Sequence, residues 1–264
     1  MKSDKPAALD VRGLMVHYGA SPIVWDLHLA VPSGHLVGIM GPNGAGKTTF
    51  IKAVLELLEG TTGVVRLLGH KLKTIRRKIA YVPQREVVDW DFPMTVRDLV
   101  EMGCYPKRGL FRSLQREDHQ RIEEALDKLG LTSMAGVQIG ELSGGQRQRA
   151  FVSRAIAQDA DLYFLDEPFG GIDQVSEHIL MDVLRALRDE GKTIFVVHHD
   201  LVTAGKYFDW AILMNTRLIA NGPMQKVFTS ENLYMTYGKN LALVEDVVKI
   251  LSTFAEGRAV HGGA

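Results

Sequence analysis

Two patterns of hydrophobic and polar positions alternate along the chain. Short runs of consecutive apolar residues are typical of strands buried within a sheet, whereas apolar residues that recur every three or four positions are typical of amphipathic helices. The first pattern predicts strands at residues 9–17, 25–31, 36–40, 64–68, 78–82, 162–165 and 193–197. Two further short runs, residues 212–214 and 217–220 on either side of Asn215-Thr216, predict a late β-hairpin.

The helical pattern is clearest at residues 117–129 and 177–190, where the apolar side chains fall on one face. Residues 84–158 look mainly helical and lack the strand patterns on either side of them, so we expect an inserted helical subdomain. Strands that alternate with helices predict an α/β fold around a largely parallel sheet. We therefore expect a main domain over residues 1–240, with that insertion, and a C-terminal helix and tail over residues 241–264.

Charge and composition restrict the function. The 264 residues carry 31 Lys and Arg against 31 Asp and Glu, so no overall field favours nucleic acid and we expect no nucleic-acid partner. Cys104 is the only cysteine, which excludes an intrachain disulfide and fits a reducing, cytoplasmic compartment. The N-terminus lacks the apolar segment of a signal peptide, and no window approaches about 18 uninterrupted apolar residues. Work at a membrane would therefore go through a partner.

Residues 41–48 read Gly-Pro-Asn-Gly-Ala-Gly-Lys-Thr and fit the phosphate-loop pattern G-x-x-x-x-G-K-[ST], between a predicted strand and a helical run at residues 49–58. The backbone N–H groups of such a loop point at phosphates, and the helix start adds the positive end of its dipole. Lys47 is expected to bind the β- and γ-phosphate oxygens, and the Thr48 hydroxyl to ligate Mg²⁺. The nucleotide-binding residues expected from this region are Gly41, Pro42, Asn43, Gly44, Ala45, Gly46, Lys47, Thr48 and Thr49.

The apolar strand at residues 162–165 ends in two acids, Asp166 and Glu167. At the tip of a buried strand, Asp166 is placed to organise Mg²⁺ and its water shell. Glu167 is placed to accept a proton from the attacking water or to orient it. Two acids after a strand are by themselves more often an ordinary loop start, and it is the phosphate loop that favours the catalytic interpretation.

Residues 142–146, Leu-Ser-Gly-Gly-Gln, complete this set of motifs. Together the motifs resemble the ATP-binding cassette (ABC) ATPases over nearly the whole chain. The resemblance implies a P-loop NTPase core with an inserted helical subdomain and an N-terminal antiparallel β portion. It also implies two ATP molecules that join two cassettes head to tail until hydrolysis releases them. The residues that would face the γ-phosphate held by the opposite subunit are Ser143, Gly144, Gly145 and Gln146.

The same resemblance implies roles for further side chains. Tyr18 matches the aromatic residue that stacks on adenine, and Gln84 matches the glutamine that touches Mg²⁺ and joins the core to the helical subdomain. His199 matches the switch histidine that contacts the γ-phosphate, and we choose it over His198 because an Asp follows it. Metal binding by the His-His pair is not favoured, since no further ligands have suitable spacing. Asp173 preserves the acid that this family uses for contact between subunits.

Residues 88–93, Val-Asp-Trp-Asp-Phe-Pro, resemble the ATPase subunits of manganese, zinc and iron importers. Exposed aromatic residues here would anchor a permease, although Phe92 has even odds of belonging to the core. The resemblance implies ATP and Mg²⁺ as cofactors and a homodimer on the inner face of the cell membrane. It further implies an integral membrane permease and, indirectly, a metal-binding protein as partners. An ABC ATPase of another transporter type and a soluble cluster-assembly ATPase are the alternatives.

Overall fold

The computed structural model describes residues 6–18, 21–84, 92–109 and 113–238, with the backbone alone at Tyr18 and Ser21. The strands form two sheets. The predicted tail at residues 241–264 lies outside the described residues. Within the described part of the chain, no helix is both long enough and apolar enough to cross a bilayer.

The smaller sheet is antiparallel and has the strand order β2-β1-β4. Its strands are β1, Leu9–Tyr18; β2, Ser21–Val31; and β4, Thr61–Leu67. This sheet is the antiparallel portion predicted near the N-terminus. β4 begins three residues earlier than predicted. The prediction missed residues 61–63 because they are Thr-Thr-Gly and carry no apolar pattern.

The larger sheet has the order β5-β6-β7-β3-β8-β9. Neighbouring strands from β5 to β8 are parallel, and β9 is antiparallel to β8. The C-terminal ends of the parallel strands therefore meet at one edge, where ligands of α/β proteins bind. The strands are β3, Leu36–Met40; β5, Ile79–Val82; β6, Leu162–Leu165; β7, Thr193–Val197; β8, Trp210–Asn215; and β9, Arg217–Pro223.

The described residues contain ten α-helices. Four of them, α3 to α6, follow β5 and precede β6, in the stretch predicted to be helical; the boundaries of a subdomain there stay a prediction. The helical run predicted at residues 49–58 is wrong in length, since α1 ends at Val54 and Glu56 has a non-helical φ of +51°. The helices are α1, Lys47–Val54; α2, Leu72–Ile75; α3, Val96–Glu101; α4, Tyr105–Arg108; α5, Arg116–Lys128; α6, Gly144–Ala157; α7, Gln174–Asp189; α8, Leu201–Tyr207; α9, Met224–Val227; and α10, Ser230–Tyr237.

Alternate residues of the buried strands belong to two hydrophobic cores, one on each face of the larger sheet. Phe164 of β6 and Phe195 of β7 stack with 4.7 Å between ring centroids, in the core shared with α1 and the smaller sheet. The next residues along, Leu165 and Val196, join the other core, to which α3, α5, α6 and α7 contribute. Because successive side chains of a strand point to opposite faces, a sheet covered on both faces needs apolar residues at every position. The strands are therefore continuous apolar runs that end at the site edge.

Candidate active site

The phosphate loop connects β3 to α1 at the edge where the parallel strands end. Its first residue, Gly41, is packed so closely that an added Cβ would collide with the carbonyl oxygen of Met214 in the neighbouring strand β8. Farther along, the Ala45 N–H donates to the Pro42 carbonyl at 3.1 Å and closes the turn. Because α1 begins at Lys47, within the loop motif, the loop amides and the positive end of the helix dipole favour an anion at the same place.

Lys47 is the first residue of α1, and only 7% of its surface is exposed. Its ammonium group donates to the carbonyl oxygens of Gly41 at 2.8 Å and Pro42 at 2.9 Å. Burial lowers the pKa of Lys47, while the nearby carboxylates of Glu167 and Asp166 act in the opposite direction. The cation is thus held inside the curve of the loop, where a phosphate oxygen would meet it.

Asp166 follows β6 and is almost completely buried. The Thr48 hydroxyl donates to its Oδ1 at 2.9 Å, while its Oδ2 is buried without a hydrogen-bond partner in the described part of the chain. Burial raises the pKa of Asp166, and the hydrogen bond from Thr48 opposes that rise. Mg²⁺ is held in proteins by one or two carboxylates with other oxygen donors. An orphaned carboxylate oxygen beside a threonine hydroxyl therefore fits this ion.

Gln84 and Glu167 connect the ends of β5 and β6. The Gln84 side-chain amide donates to Glu167 Oε2 at 3.3 Å. Glu167 has a φ of +51°, in the left-handed region that residues other than glycine rarely adopt. Backbone strain of this kind clusters at functional sites, where the surrounding structure enforces it. The carboxylate of Glu167 is therefore directed by its own backbone as well as by Gln84.

The two histidines after β7 have different surroundings. His198 is buried and shares a hydrogen bond of 2.9 Å between its Nε2 and the Thr203 hydroxyl, and burial lowers its pKa to about 4. His199 is exposed. Since β7 lies between β6 and β3, His199 leaves the sheet between the two acids and the phosphate loop. Of the pair, His199 is the one whose ring is open to a ligand.

A cleft of about 580 Å³ opens along the phosphate loop. It brings together loop residues 43–49 with Gln84 and Glu167, which the motifs predicted to share one site. Its lining among the described residues does not include His199 or Ser143. A single chain thus brings the phosphate loop together with Gln84 and Glu167, whereas the exposed Ser143 lies outside this cleft.

Three residues of this cleft were missed by the sequence analysis. Pro22 and Ile23 come from β2, and Thr216 comes from the turn between β8 and β9. They reach the cleft because distant strands pack beside the loop, and no motif links them to it. The only signal in the sequence was the predicted hairpin around Asn215-Thr216.

The Leu-Ser-Gly-Gly-Gln segment begins α6 with a capping box. The Ser143 hydroxyl accepts from the Gln146 N–H at 3.3 Å, and the Gln146 side-chain oxygen accepts from the Ser143 N–H at 2.8 Å. Gly145 packs against the start of α7, where an added Cβ would lie 2.5 Å from Asp173 Oδ2. Ser143 itself is exposed. The segment therefore places one exposed residue, Ser143, at the N-terminal end of a fourteen-residue helix.

Two predictions concern parts of the chain that the structure does not describe. Tyr18 lies in β1, but its side chain is outside the described residues, as are Trp90 and the rest of residues 85–91. Phe92 is described and is 56% exposed. The interpretation of Phe92 as a core residue is therefore wrong, and its ring is open to a partner.

Sequence and structure comparisons place these motifs in a family. The ABC transporter profile matches residues 24–170. The chain is 47% identical over 243 residues to the manganese transport system ATP-binding protein MntB of Bacillus subtilis (strain 168), which covers 92% of this chain and 96% of that protein. It is 45% identical over 235 residues to the zinc transport system ATP-binding protein TroB of Treponema pallidum (strain Nichols), covering 89% and 88%.

Solved structures agree with this assignment. An ATP-binding subunit of an ABC transporter superposes with a TM-score of 0.75 at 27% identity, covering 92% of this chain and 99% of that one. A nucleotide-free ATP-binding cassette of an ABC transporter has the same fold, with a TM-score of 0.74 at 21% identity over 90% of this chain and 98% of that one. The chain belongs to the ABC transporter family and is an ATPase of that family.

Proposed function

We propose that this ATPase powers the uptake of a divalent metal ion, manganese, zinc or iron, through a separate membrane permease. The observation that carries the proposal is the cleft in which the phosphate loop meets Gln84 and Glu167, with Thr48 bonded to Asp166 beside them. The metal follows from relatives named for manganese and zinc transport at 47% and 45% identity. Iron rests on the resemblance of residues 88–93 alone.

The phosphate loop binds the triphosphate of ATP. When ATP binds, the Lys47 ammonium group gives up its hydrogen bonds to the two loop carbonyls and donates to the β- and γ-phosphate oxygens. These oxygens are negatively charged and stabilise a buried cation better than neutral carbonyls do. Thr48, Asp166 and Gln84 are the residues that would hold Mg²⁺. When bound, this ion neutralises charge on the phosphate oxygens. Tyr18 would stack on adenine at the other end of the nucleotide.

Glu167 acts as the general base for hydrolysis. The water oxygen forms a bond to the γ-phosphorus, the bond from that phosphorus to the β-phosphate oxygen breaks, and the proton of the water passes to the Glu167 carboxylate. Gln84 supports this role because its amide already donates to Oε2. His199, which is exposed at the end of β7, would contact the γ-phosphate and position the water.

A second copy of the chain completes each site. The segment that would face a γ-phosphate lies outside the cleft of its own chain, with Ser143 exposed at the start of α6. The positive end of this helix favours an anion. Each ATP is then held by the phosphate loop of one copy and by the signature residues of the other, which are Ser143, Gly144, Gly145 and Gln146.

The permease contact is proposed at Phe92, in the segment of residues 88–93 that resembles the importer ATPases. Phe92 is exposed there, as a partner anchor requires. We place the chain in the cytoplasm, peripheral on the inner face of the cell membrane. A metal-binding protein would deliver the ion to the permease from the other side and would not touch this chain.

The proposal is tested with the chain and its permease reconstituted in lipid vesicles. ATP hydrolysis and metal uptake are measured with binding protein loaded with manganese, zinc or iron, and Lys47→Ala in the same assembly is the matched control. We expect one loaded form to stimulate hydrolysis and to drive uptake that Lys47→Ala abolishes. If the Lys47→Ala assembly takes up all three metals as fast as the wild type, the importer assignment is refuted. Stable binding to soluble scaffold proteins instead of a permease would point to cluster assembly.

A further inference from the structure

His198 is a buried histidine beside His199, and the proposed hydrolysis does not use it. Only 2% of its surface is exposed. Aromatic side chains surround its ring, with centroid distances of 5.6 Å to Phe169 and 5.3 Å to Phe208. Burying a polar ring among apolar groups costs free energy unless its N–H finds a hydrogen-bond partner. The partner of this N–H therefore shows what the side chain does.

The partner is the hydroxyl of Thr203 in α8. His198 Nε2 lies 2.9 Å from this hydroxyl, which itself donates to Asp200 Oδ2 at 2.9 Å. A hydroxyl has a single hydrogen and a carboxylate can only accept, so the Thr203 oxygen accepts from the Nε2–H of His198. Burial lowers the pKa of His198 to about 4, so the ring is neutral at neutral pH and carries its one N–H on Nε2.

These three side chains, His198, Asp200 and Thr203, enclose His199, and we refer to them as the histidine clasp. His198 and Asp200 are the two chain neighbours of His199, and both are bonded to the same hydroxyl of α8. On one side, the His198 N–H donates to the Ile39 carbonyl of β3 at 3.0 Å. On the other side, Asp200 caps α8 by accepting from the Val202 N–H at 2.8 Å. The backbone is therefore fixed before and after His199, whose own side chain is exposed.

We propose that His198 and Thr203 are positioning residues for ATP hydrolysis, which hold the backbone of His199 so that its ring is directed at the γ-phosphate and the attacking water. The inference rests on the proposed function, because it needs the proposed role of His199. A group that is already oriented does not have to be ordered in the transition state, and small misplacements of such a group slow a reaction strongly. The effect therefore falls on kcat and not on the KM for ATP, which depends on the phosphate loop.

The direct test is Thr203→Val in the full chain, which removes the hydroxyl and both of its hydrogen bonds but keeps the branched shape. Thr193→Val is the matched control, because it removes another buried hydroxyl, bonded to the Gly34 N–H at 2.9 Å, from the far end of β7. The kcat and KM for ATP are measured, with thermal unfolding to confirm that each variant is folded. We expect Thr203→Val to lower kcat about three- to tenfold, as for one lost hydrogen bond, with KM unchanged. Thr203→Ser should restore most of this loss, and Thr193→Val should match the wild type.

Two variants of His198 test which ring nitrogen is the donor. The side-chain nitrogen of glutamine can reach the place of Nε2, whereas that of asparagine reaches only as far as Nδ1. His198→Gln should therefore keep more of the wild-type kcat than His198→Asn does. The reverse order would overturn the assignment of the proton to Nε2, and the clasp with it.

A His199→Ala background separates positioning from a purely structural role. Without the His199 ring the clasp has nothing to direct, so adding Thr203→Val should not lower kcat further. An equal fold-loss in both backgrounds would overturn the inference, as would a wild-type kcat for Thr203→Val or a Thr203→Ser chain as slow as Thr203→Val. A His199→Ala chain that hydrolyses ATP like the wild type would instead refute the proposed role of His199, and the inference with it, so the two failures are distinguishable.

Discussion

Replacing Gly145 by alanine puts a methyl group where the starts of α6 and α7 meet. The added Cβ would lie 2.5 Å from Asp173 Oδ2 and 3.0 Å from the Ser176 Cβ, whereas ordinary contacts begin at 3.4 Å. Asp173 caps α7 by accepting from the Ser176 N–H at 2.8 Å and from the Ser176 hydroxyl at 2.9 Å. The methyl group must therefore displace the cap.

The expected loss of folding stability follows from these contacts. Loss of an N-cap costs about 0.5–2 kcal/mol, and an extra methyl group in a packed site costs about 1–3 kcal/mol. The higher helix propensity of alanine offsets up to about 1 kcal/mol of this destabilisation. We expect Gly145→Ala to lower the free energy of unfolding by about 2 kcal/mol, which in a chain of this size lowers Tm by about 4–8 °C.

Gly205 in α8 is the matched control, since an added Cβ there meets nothing within 4 Å. Alanine in place of a helical glycine stabilises by about 0.5–1 kcal/mol, so Gly205→Ala should raise Tm by about 1–4 °C. The same chemical change thus has opposite signs at the two positions. The Tm of each variant is measured by thermal unfolding of the nucleotide-free chain. A Tm for Gly145→Ala equal to or above that of the wild type would refute the packing of α6 against Asp173.

Two further predictions concern pH. The pKa of His198 is about 4 in the folded chain and about 6.5 in the unfolded chain. The neutral, buried ring therefore contributes about 3 kcal/mol of stability above pH 6.5. This contribution is lost as the pH falls to about 4. NMR titration of the His198 ring checks this, and protonation near pH 6.5 would contradict it. The pKa of Asp166 is raised, so its protonated form stabilises the nucleotide-free chain below about pH 4, and this is lost as the pH rises through the folded pKa. The free energy of urea unfolding of Asp166→Asn relative to the wild type should therefore increase from pH 4 to pH 7, and a constant difference would be evidence against a buried, unpaired carboxylate.

Strands β3, β6 and β7 of the larger sheet could be predicted because each one is buried on both faces. Residues 36–40, 162–165 and 193–197 are apolar at every position except Gly38 and Thr193, and the predicted bounds match the structure. The motifs that follow these strands were expected to meet, since the ends of parallel strands share an edge. Gln84 and Glu167 do line one cleft with the phosphate loop.

The remaining parts of the site depend on long-range packing. The order of the strands sets which loops are neighbours, and no local pattern encodes it. Thr216 lines the cleft only because β8 pairs with β3, which places the turn beside Ala45. Likewise, only the fold shows that His198 is buried under Thr203 while His199 is open. The early start of β4 was missed because residues 61–63 are polar or glycine.

In the proposed mechanism, each ATP site is shared between two copies of the chain. Analytical ultracentrifugation of Glu167→Gln at saturating ATP and Mg²⁺ tests it, because slow hydrolysis should preserve the bound nucleotide. We expect a species of twice the mass of the chain, which returns to the single mass when Ser143→Arg is added, although ATP still binds to the phosphate loop. A Glu167→Gln chain that binds ATP yet stays at the single mass would contradict the shared site, as would a dimer that Ser143→Arg leaves intact.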